Sequence, residues 1–356
     1  MDVEKIKIFL EKNNQPKFRL AQIQKAVFED GVSSFEEITT LSKELRHRMS
    51  KLKILSFEVE KVLVAKDGQS VKALLKLEDG KNIETVLISP KPGVWSVCIS
   101  CQVGCPMNCR FCATGRGGFA RNLTAEEITD QILFWRQYLK KNSKIENCKP
   151  ARPAGGLKIE NYDINNIVYM GMGEPFLNWE NVRESLKNLI NKNLFGLGSR
   201  SISVSTAGIP EGIEKLAQEF PQVNLAISLH FADDKKRSVF MPVNKKYNLE
   251  ELRNCVSNYL RTTNRKVFVE YILLENINDS REDAEKLAKY LKLIGKLQLL
   301  HVNLIRYNTT GGELKPSSRN RIEEFKNFLL KNHIQVTIRK SLGEEIQGAC
   351  GQLVSR

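Results

Sequence analysis

From about residue 91 onward, short apolar runs of strand character alternate with helical stretches, and that alternation narrows the fold most. The runs are Trp95–Ser100, Asn166–Met170, Ser201–Ser205, Leu225–His230, Val267–Leu273 and Leu297–Ile305. Strands separated by helices predict parallel βαβ units. Six such units fit an α/β fold of the partial, TIM-like (β/α)6 barrel kind better than a closed eight-stranded barrel. A seventh strand, Gln335–Arg339, leads into a C-terminal tail. Thr124 and Glu127 have capping-box spacing at the start of one helix. The stretch Lys140–Tyr162, with two prolines and a Gly-Gly pair, is expected to be a surface loop. Upstream, apolar residues recur at helical spacing in the first fifty positions. Three β-like runs follow, joined by turns at Asp67-Gly68 and Asp79-Gly80. The expected organisation is therefore an accessory region over 1–90, a barrel over 91–345 and a tail over 346–356. In such folds reactive groups gather at the carboxyl ends of the strands.

Charge and cysteine content narrow the function. Lys and Arg total 55 against 41 Asp and Glu, a net charge of +14 in 356 residues. That excess suits a polyanion such as nucleic acid, and equally a basic enzyme with a small substrate. Apolar residues make up 41%, which excludes wholesale disorder. No run approaches the ~18 apolar residues of a membrane span, and the start lacks a secretory signal pattern, so a soluble cytoplasmic protein is expected. In a reducing compartment the eight cysteines point to metal or redox chemistry rather than a disulfide framework. Five of them lie between Cys98 and Cys112, whereas Cys148 and Cys255 are isolated.

Cys105, Cys109 and Cys112 form C-x3-C-x2-C directly after the first predicted barrel strand. Three thiolates on one short loop can hold three irons of a [4Fe–4S] cluster and leave the fourth open to a small ligand. Zinc is the other reading. It asks for four Cys or His ligands, which Cys101 could complete, since none of the four histidines is close in sequence.

An aromatic residue before the last cysteine, Phe111, makes this loop resemble that of the radical S-adenosylmethionine (SAM) superfamily. There the open iron chelates the amino and carboxylate groups of SAM, and the aromatic packs near its adenine. Val97–Ser100, Gly115–Leu123, Gly171–Pro175, Ser228–His230 and Ala349–Leu353 extend the likeness. Together they resemble the RlmN/Cfr family of radical SAM methyltransferases, from residue 17 to the end. The resemblance implies a barrel of the radical SAM type, with Cys105, Cys109 and Cys112 as cluster ligands. It implies SAM contacts at Gly173, Glu174, Ser205, Ser228, Leu229, His230 and Asn308. Taken singly, Gly-x-Gly after a strand is often only a turn, and polar residues at strand ends often only satisfy loops.

The resemblance also gives roles to two cysteines that would otherwise read as a core residue and an inert one near a terminus. Carbon 2 of adenine lies between two ring nitrogens and is electrophilic, so it cannot attack the methyl of SAM and must be approached by a radical. In the implied scheme Cys350 takes a methyl group by displacement and becomes S-methylcysteine. Cleavage of a second SAM then gives a 5′-deoxyadenosyl radical, which removes hydrogen from that methyl so that it can add to the base. Cys98 resolves the protein–RNA adduct through a transient disulfide with Cys350. Glu84 falls on the family's proton acceptor; a solvated glutamate on a strand is the alternative. The implied substrates are 23S rRNA at the peptidyl transferase centre and tRNA at the adenosine 3′ to the anticodon. The implied electron source is a low-potential donor such as flavodoxin or ferredoxin, and the chain is expected to act as a monomer.

Arg121-Asn122-Leu123 and Glu174-Pro175 look like the carbon-2 branch, whereas His301–Asn308 looks more like the carbon-8 branch, whose product confers ribosomal antibiotic resistance. A non-catalytic RNA-binding protein with a structural metal site is a reading from another class. Arg110, Arg116 and Arg121 near the cysteine loop, and Lys17, Arg19, Lys25, Arg46 and Arg48 upstream, are candidate phosphate contacts. Phe18 and Phe119 are candidate base stackers, although core packing is the expected fate of either.

Overall fold

The computed structural model describes residues 1–146 and 163–354. Three short helices, α1 (Val3–Lys12), α2 (Phe18–Gln24) and α3 (Lys43–Met49), precede three antiparallel strands, β1 (Phe57–Val64), β2 (Ser70–Leu77) and β3 (Asn82–Lys91). Their turns fall where expected, with Asp67 and Asp79 accepting from the backbone N–H two residues on. β3 pairs antiparallel with β4 (Val94–Cys98), and from β4 every further pairing is parallel. A small hairpin of β5 (Gln102–Gly104) and β6 (Phe119–Asn122) brackets the cysteine loop. The remaining strands are β7 (Ile164–Tyr169), β8 (Ile202–Thr206), β9 (Asn224–Ser228), β10 (Val267–Leu273), β11 (Leu300–Arg306) and β12 (Gln335–Arg339).

The strand order runs β1-β2-β3-β4-β7-β8-β9-β10-β11-β12 without returning to its start, so the barrel is open. This is the expected partial barrel, with β12 as its last parallel strand. Its ladder carries fully buried rungs such as Val97 beside Ile167 and Val302 beside Val269. That pattern belongs to strands covered on both faces.

Helices fill the crossovers where their caps predict. Between α4 (Ala113–Arg116) and β7 runs α5 (Ala125–Glu146). It starts with Thr124 N donating to Glu127 Oε2 at 2.9 Å and Glu127 N donating to Thr124 Oγ1 at 3.2 Å. The helix continues to Glu146, so 140–146 is helix where a loop was expected, with no proline or glycine to interrupt it; the rest of the expected loop, 147–162, lies outside the described residues. The other crossover helices are α6 (Trp179–Ile190), α7 (Pro210–Glu219), α8 (Asp234–Phe240), α9 (Leu249–Thr263), α10 (Arg281–Ile294) and α11 (Arg319–Lys331). Gly212 of α7 sits where a Cβ would lie 2.1 Å from the Phe176 ring, so only glycine lets α7 press on the turn that follows Glu174. The N-terminal helices are tied to α5, where Arg136 Nη1 donates to Phe28 O at 2.8 Å and Gln137 Nε2 to Val32 O at 2.9 Å.

Candidate active site

One cavity of about 220 Å³ opens at the carboxyl ends of the parallel strands. Cys105, Cys109 and Cys112 line it together, with Phe111 between the last two. Backbone bonds fix their loop: Cys105 N donates to Gly118 O at 2.7 Å, Cys112 N to Cys109 O at 3.1 Å, and Ala113 N to Gly351 O at 2.8 Å. Burial pushes the Cys105 thiol up to about 12 and Cys109 well above its ordinary value. Buried thiols of this kind become thiolates only when a cation supplies the missing charge. Among the described residues no three His, Cys, Asp or Glu side chains converge as the ligands of a single metal ion would. A cubane-type cluster asks for one thiolate at each of three separate irons, and three thiols on one cavity supply that number, whereas zinc asks for a fourth ligand. Cys101 does not join them. Its thiol is buried against Met172 O at 3.6 Å, and a Cβ on Gly173 would lie 2.9 Å from its sulfur.

Gly173 holds φ at +108°, which turns the chain so that Glu174 enters the cavity wall. The Glu174 carboxylate accepts from Ala207 N at 2.7 Å and Phe176 N at 3.2 Å. Burial outweighs these bonds and pushes its carboxyl up to about 7, a carboxylate short of a positive partner. Ser205 and Ser228, at the ends of neighbouring strands, meet with their hydroxyls 3.3 Å apart. His230 adopts φ +58°, and its Nδ1 accepts from Ile272 N at 3.1 Å, which leaves the ring proton on Nε2. Burial lowers this imidazole to about 3, so it is neutral. Phe111 packs edge-on against it at 4.9 Å. Asn308 donates from Nδ2 to Cys350 O at 3.1 Å, while its buried Oδ1 has no partner. An orphaned acceptor facing a cavity is what a missing donor leaves behind.

Two of the sequence-derived positions lie elsewhere. Leu229 does not line the cavity; its side chain is 1% exposed and its carbonyl accepts from Arg237 Nε at 3.2 Å. Glu84 is neither solvated nor at the cavity. Its side chain is buried, Oε1 accepts from Lys72 Nζ at 2.8 Å and Oε2 from Val354 N at 3.0 Å.

Cys98 ends β4 and Cys350 lies in the tail, and both face the same cavity as free thiols. Burial pushes Cys98 up to about 12, whereas Cys350 is exposed at the cavity mouth. The Arg339 guanidinium favours the thiolate of both and is itself held by Glu270 Oε2 at 3.2 Å. Arg339 and Glu270 line the cavity and were not singled out from the sequence. Arg339 ends β12 and carries the signal that marked the two serines; for Glu270, midway along β10, the signal was a carboxylate inside an otherwise apolar strand.

Two of the cations expected to face RNA are paired within the chain. Arg121 donates to Asp79 Oδ2 at 2.7 Å and to Glu127 Oε2 at 2.8 Å, and Arg116 Nη1 donates to Gly311 O at 2.6 Å. Conversely, Phe18 and Phe119 are not core residues. They are 55% and 47% exposed, and the Arg19 guanidinium lies 4.9 Å over the Phe18 ring.

The crystal structure of a radical SAM methyltransferase from Sphaerobacter thermophilus superimposes with a TM-score of 0.87 at 35% identity, covering 99% of this chain and 97% of that one. A likeness over the whole length at that identity makes this chain a radical SAM methyltransferase by class. Residues 1–55 match the ribosomal RNA large subunit methyltransferase N-terminal domain. A probable dual-specificity RNA methyltransferase RlmN from Thermotoga sp. (strain RQ2) is 42% identical over 95% of this chain and 91% of its own length. The ribosomal RNA large subunit methyltransferase Cfr of Clostridium botulinum (strain Okra / Type B1) is 41% identical over 95% of this chain and 92% of its own. The chain belongs to the RlmN/Cfr family of RNA methyltransferases. No helix among the described residues is long and apolar enough to cross a membrane.

Proposed function

We propose that this protein methylates carbon 2 of adenosine in 23S rRNA, at the peptidyl transferase centre, and in tRNA, at the adenosine 3′ to the anticodon. The observation that carries the reading is that Cys98 and Cys350 line the same cavity as Cys105, Cys109 and Cys112. Cys105, Cys109 and Cys112 would hold a [4Fe–4S] cluster with SAM at its open iron. When bound, that cluster supplies the electron that splits SAM into methionine and a 5′-deoxyadenosyl radical.

The chain's own residues do the rest. The Cys350 thiolate attacks the methyl of a first SAM, forming an S–CH3 bond as S-adenosylhomocysteine leaves. The Arg339 guanidinium favours that thiolate by its charge. Loss of a hydrogen atom from the Cys350 methyl to the deoxyadenosyl radical leaves a carbon radical that adds to the electrophilic ring carbon; the adduct then gives up one electron, which the oxidised cluster would accept, and the proton of that ring carbon, restoring the aromatic ring. The Cys98 thiolate then attacks the Cys350 sulfur, and the electron pair of the broken S–C bond goes to carbon, which takes up a proton. Gly173 and Glu174 receive the SAM ammonium group, with Ser205, Ser228, His230 and Asn308 around its carboxylate and nucleoside, and Leu229 backs Ser228 and His230 from behind the cavity wall. Glu84 as proton acceptor requires that the tail first release its carboxylate. In this reading residues 1–90 carry RNA to the barrel of 91–345, with 346–356 as the methyl-carrying tail. The chain acts as a cytoplasmic monomer, reduced by a flavodoxin or ferredoxin.

Two experiments test this reading. Anaerobically reconstituted protein is given SAM, a reductant and unmodified 23S rRNA or tRNA, and the digested nucleosides are compared with methyladenosine standards. 2-Methyladenosine is the expected product. 8-Methyladenosine would move the chain to the carbon-8 branch, the reading that the His301–Asn308 segment favours, and neither product would remove the substrate assignment. SAM binding should also depend on pH. Because Glu174 titrates near 7 without a cationic partner, below that pH it must lose its proton to bind an ammonium group. Affinity should therefore rise with pH up to about 7, by at most ~10-fold per unit, and then level off. Calorimetry at pH 6 in two buffers of different ionisation enthalpy should register the released proton, and Glu174→Gln should abolish the dependence.

A further inference from the structure

The tail that carries Cys350 has little structure of its own. Between Gly343 and Val354 its regular element is one short 3-10 turn, Glu344–Ile346. Something outside it must therefore set where Cys350 sits. Asn308 Nδ2, Ala113 N and Thr114 Oγ1 hold the carbonyls of Cys350, Gly351 and Leu353 on the cavity side, at 3.1, 2.8 and 2.6 Å. On the opposite side stands a single buried ion pair between neighbouring strands, Lys72 of β2 and Glu84 of β3, each 7% exposed by side chain and 2.8 Å apart.

A buried pair is costly unless its remaining donors and acceptors are also satisfied. Here the tail satisfies them. Lys72 Nζ donates to Gln347 O at 3.1 Å, and Glu84 Oε2 accepts from Val354 N at 3.0 Å. Cys350 lies between those two residues, so the stretch that bears it is pinned at both ends to the two halves of one ion pair. We propose that the Lys72–Glu84 pair is a clasp that docks the tail, with Lys72 a positioning residue for Cys350. This rests on Cys350 being the methyl carrier. It also gives Glu84 work in the docked state, in which its carboxylate is away from the cavity.

Amide exchange over residues 343–354, read by mass spectrometry on the full chain without RNA or SAM, tests the clasp directly. Lys72→Met, and independently Val354→Pro, which deletes the N–H and leaves the buried pair untouched, should each speed exchange of this segment by at least ~10-fold. That is the factor one charge-assisted hydrogen bond is worth. Exchange in β10–β12 should not change. In the reconstituted enzyme, Lys72→Met should form less methyl on Cys350 per 5′-deoxyadenosine released, and Lys72→Arg should restore the ratio. Unchanged tail exchange in both Lys72→Met and Val354→Pro would overturn the proposal. So would Lys72→Met loading Cys350 at the wild-type ratio while its tail exchanges faster, since docking would then not position the cysteine. If the wild-type protein methylates no adenosine, the functional reading fails while the exchange measurement still decides the clasp.

Discussion

Cys98→Ala should leave the protein covalently attached to its RNA. The substituted enzyme can still methylate Cys350 and still join that carbon to the base, and it then lacks the thiolate that would break the S–C bond. Product formation should stop after a single turnover. A protein–RNA species should accumulate on a denaturing gel, with the modified nucleotide on the tryptic peptide containing Cys350. The change is local, because Cys98 ends β4 beside Val86 and Val168, whose ladder bonds are backbone and survive the substitution. The double variant Cys98→Ala/Cys350→Ala should form no adduct. Normal turnover by Cys98→Ala would remove Cys98 from the resolving role.

Loss of any one of Cys105, Cys109 or Cys112 should be equally severe at an earlier stage. Cys109→Ser, anaerobically reconstituted, should lose the brown colour and most of its iron, and should not cleave SAM. Its fold should persist, since Cys112 N–Cys109 O and Cys105 N–Gly118 O fix the loop through backbone atoms. Cys101→Ser is the control: with its sulfur buried behind Gly173, it should keep its iron. A colourless wild-type protein containing zinc, dependent on Cys101, would sink the radical chemistry altogether.

The parallel strands were legible because each is a short apolar run ending near a glycine or polar residue, and Val267–Leu273 and Gln335–Arg339 fall on the bounds read from sequence. The cysteine loop was legible because its ligand spacing is local. The β5–β6 hairpin was not, since three- and four-residue strands leave almost no periodicity to read. Charged residues fared worst. Nothing near Glu84 in the chain announces that Lys72, diagonal to it on the preceding strand, will pair with it and that the tail will lie across both. Arg121 looked free for phosphate because its partner Asp79 is forty-two positions away. Phe18 and Phe119 were assigned to the core by residue type alone, and type does not reveal which side of a helix or hairpin faces solvent.

The unbroken ladder from β1 to β12 has a mechanical meaning. A module joined by a linker can swing, whereas strands sharing backbone hydrogen bonds bend together as one plate. β3 belongs to the accessory hairpins, yet its Val86 is in register with Cys98, so a push on the outer strands arrives at the Cys98 thiol without leaving the sheet. The helices add no joint, because α5 holds them by Arg136 and Gln137. A plate this stiff cannot wrap around a folded RNA. The pliancy needed to bring a base to the cavity has to come from the RNA, which must unstack it, and from the tail over the cavity, since the strands beneath form one ladder.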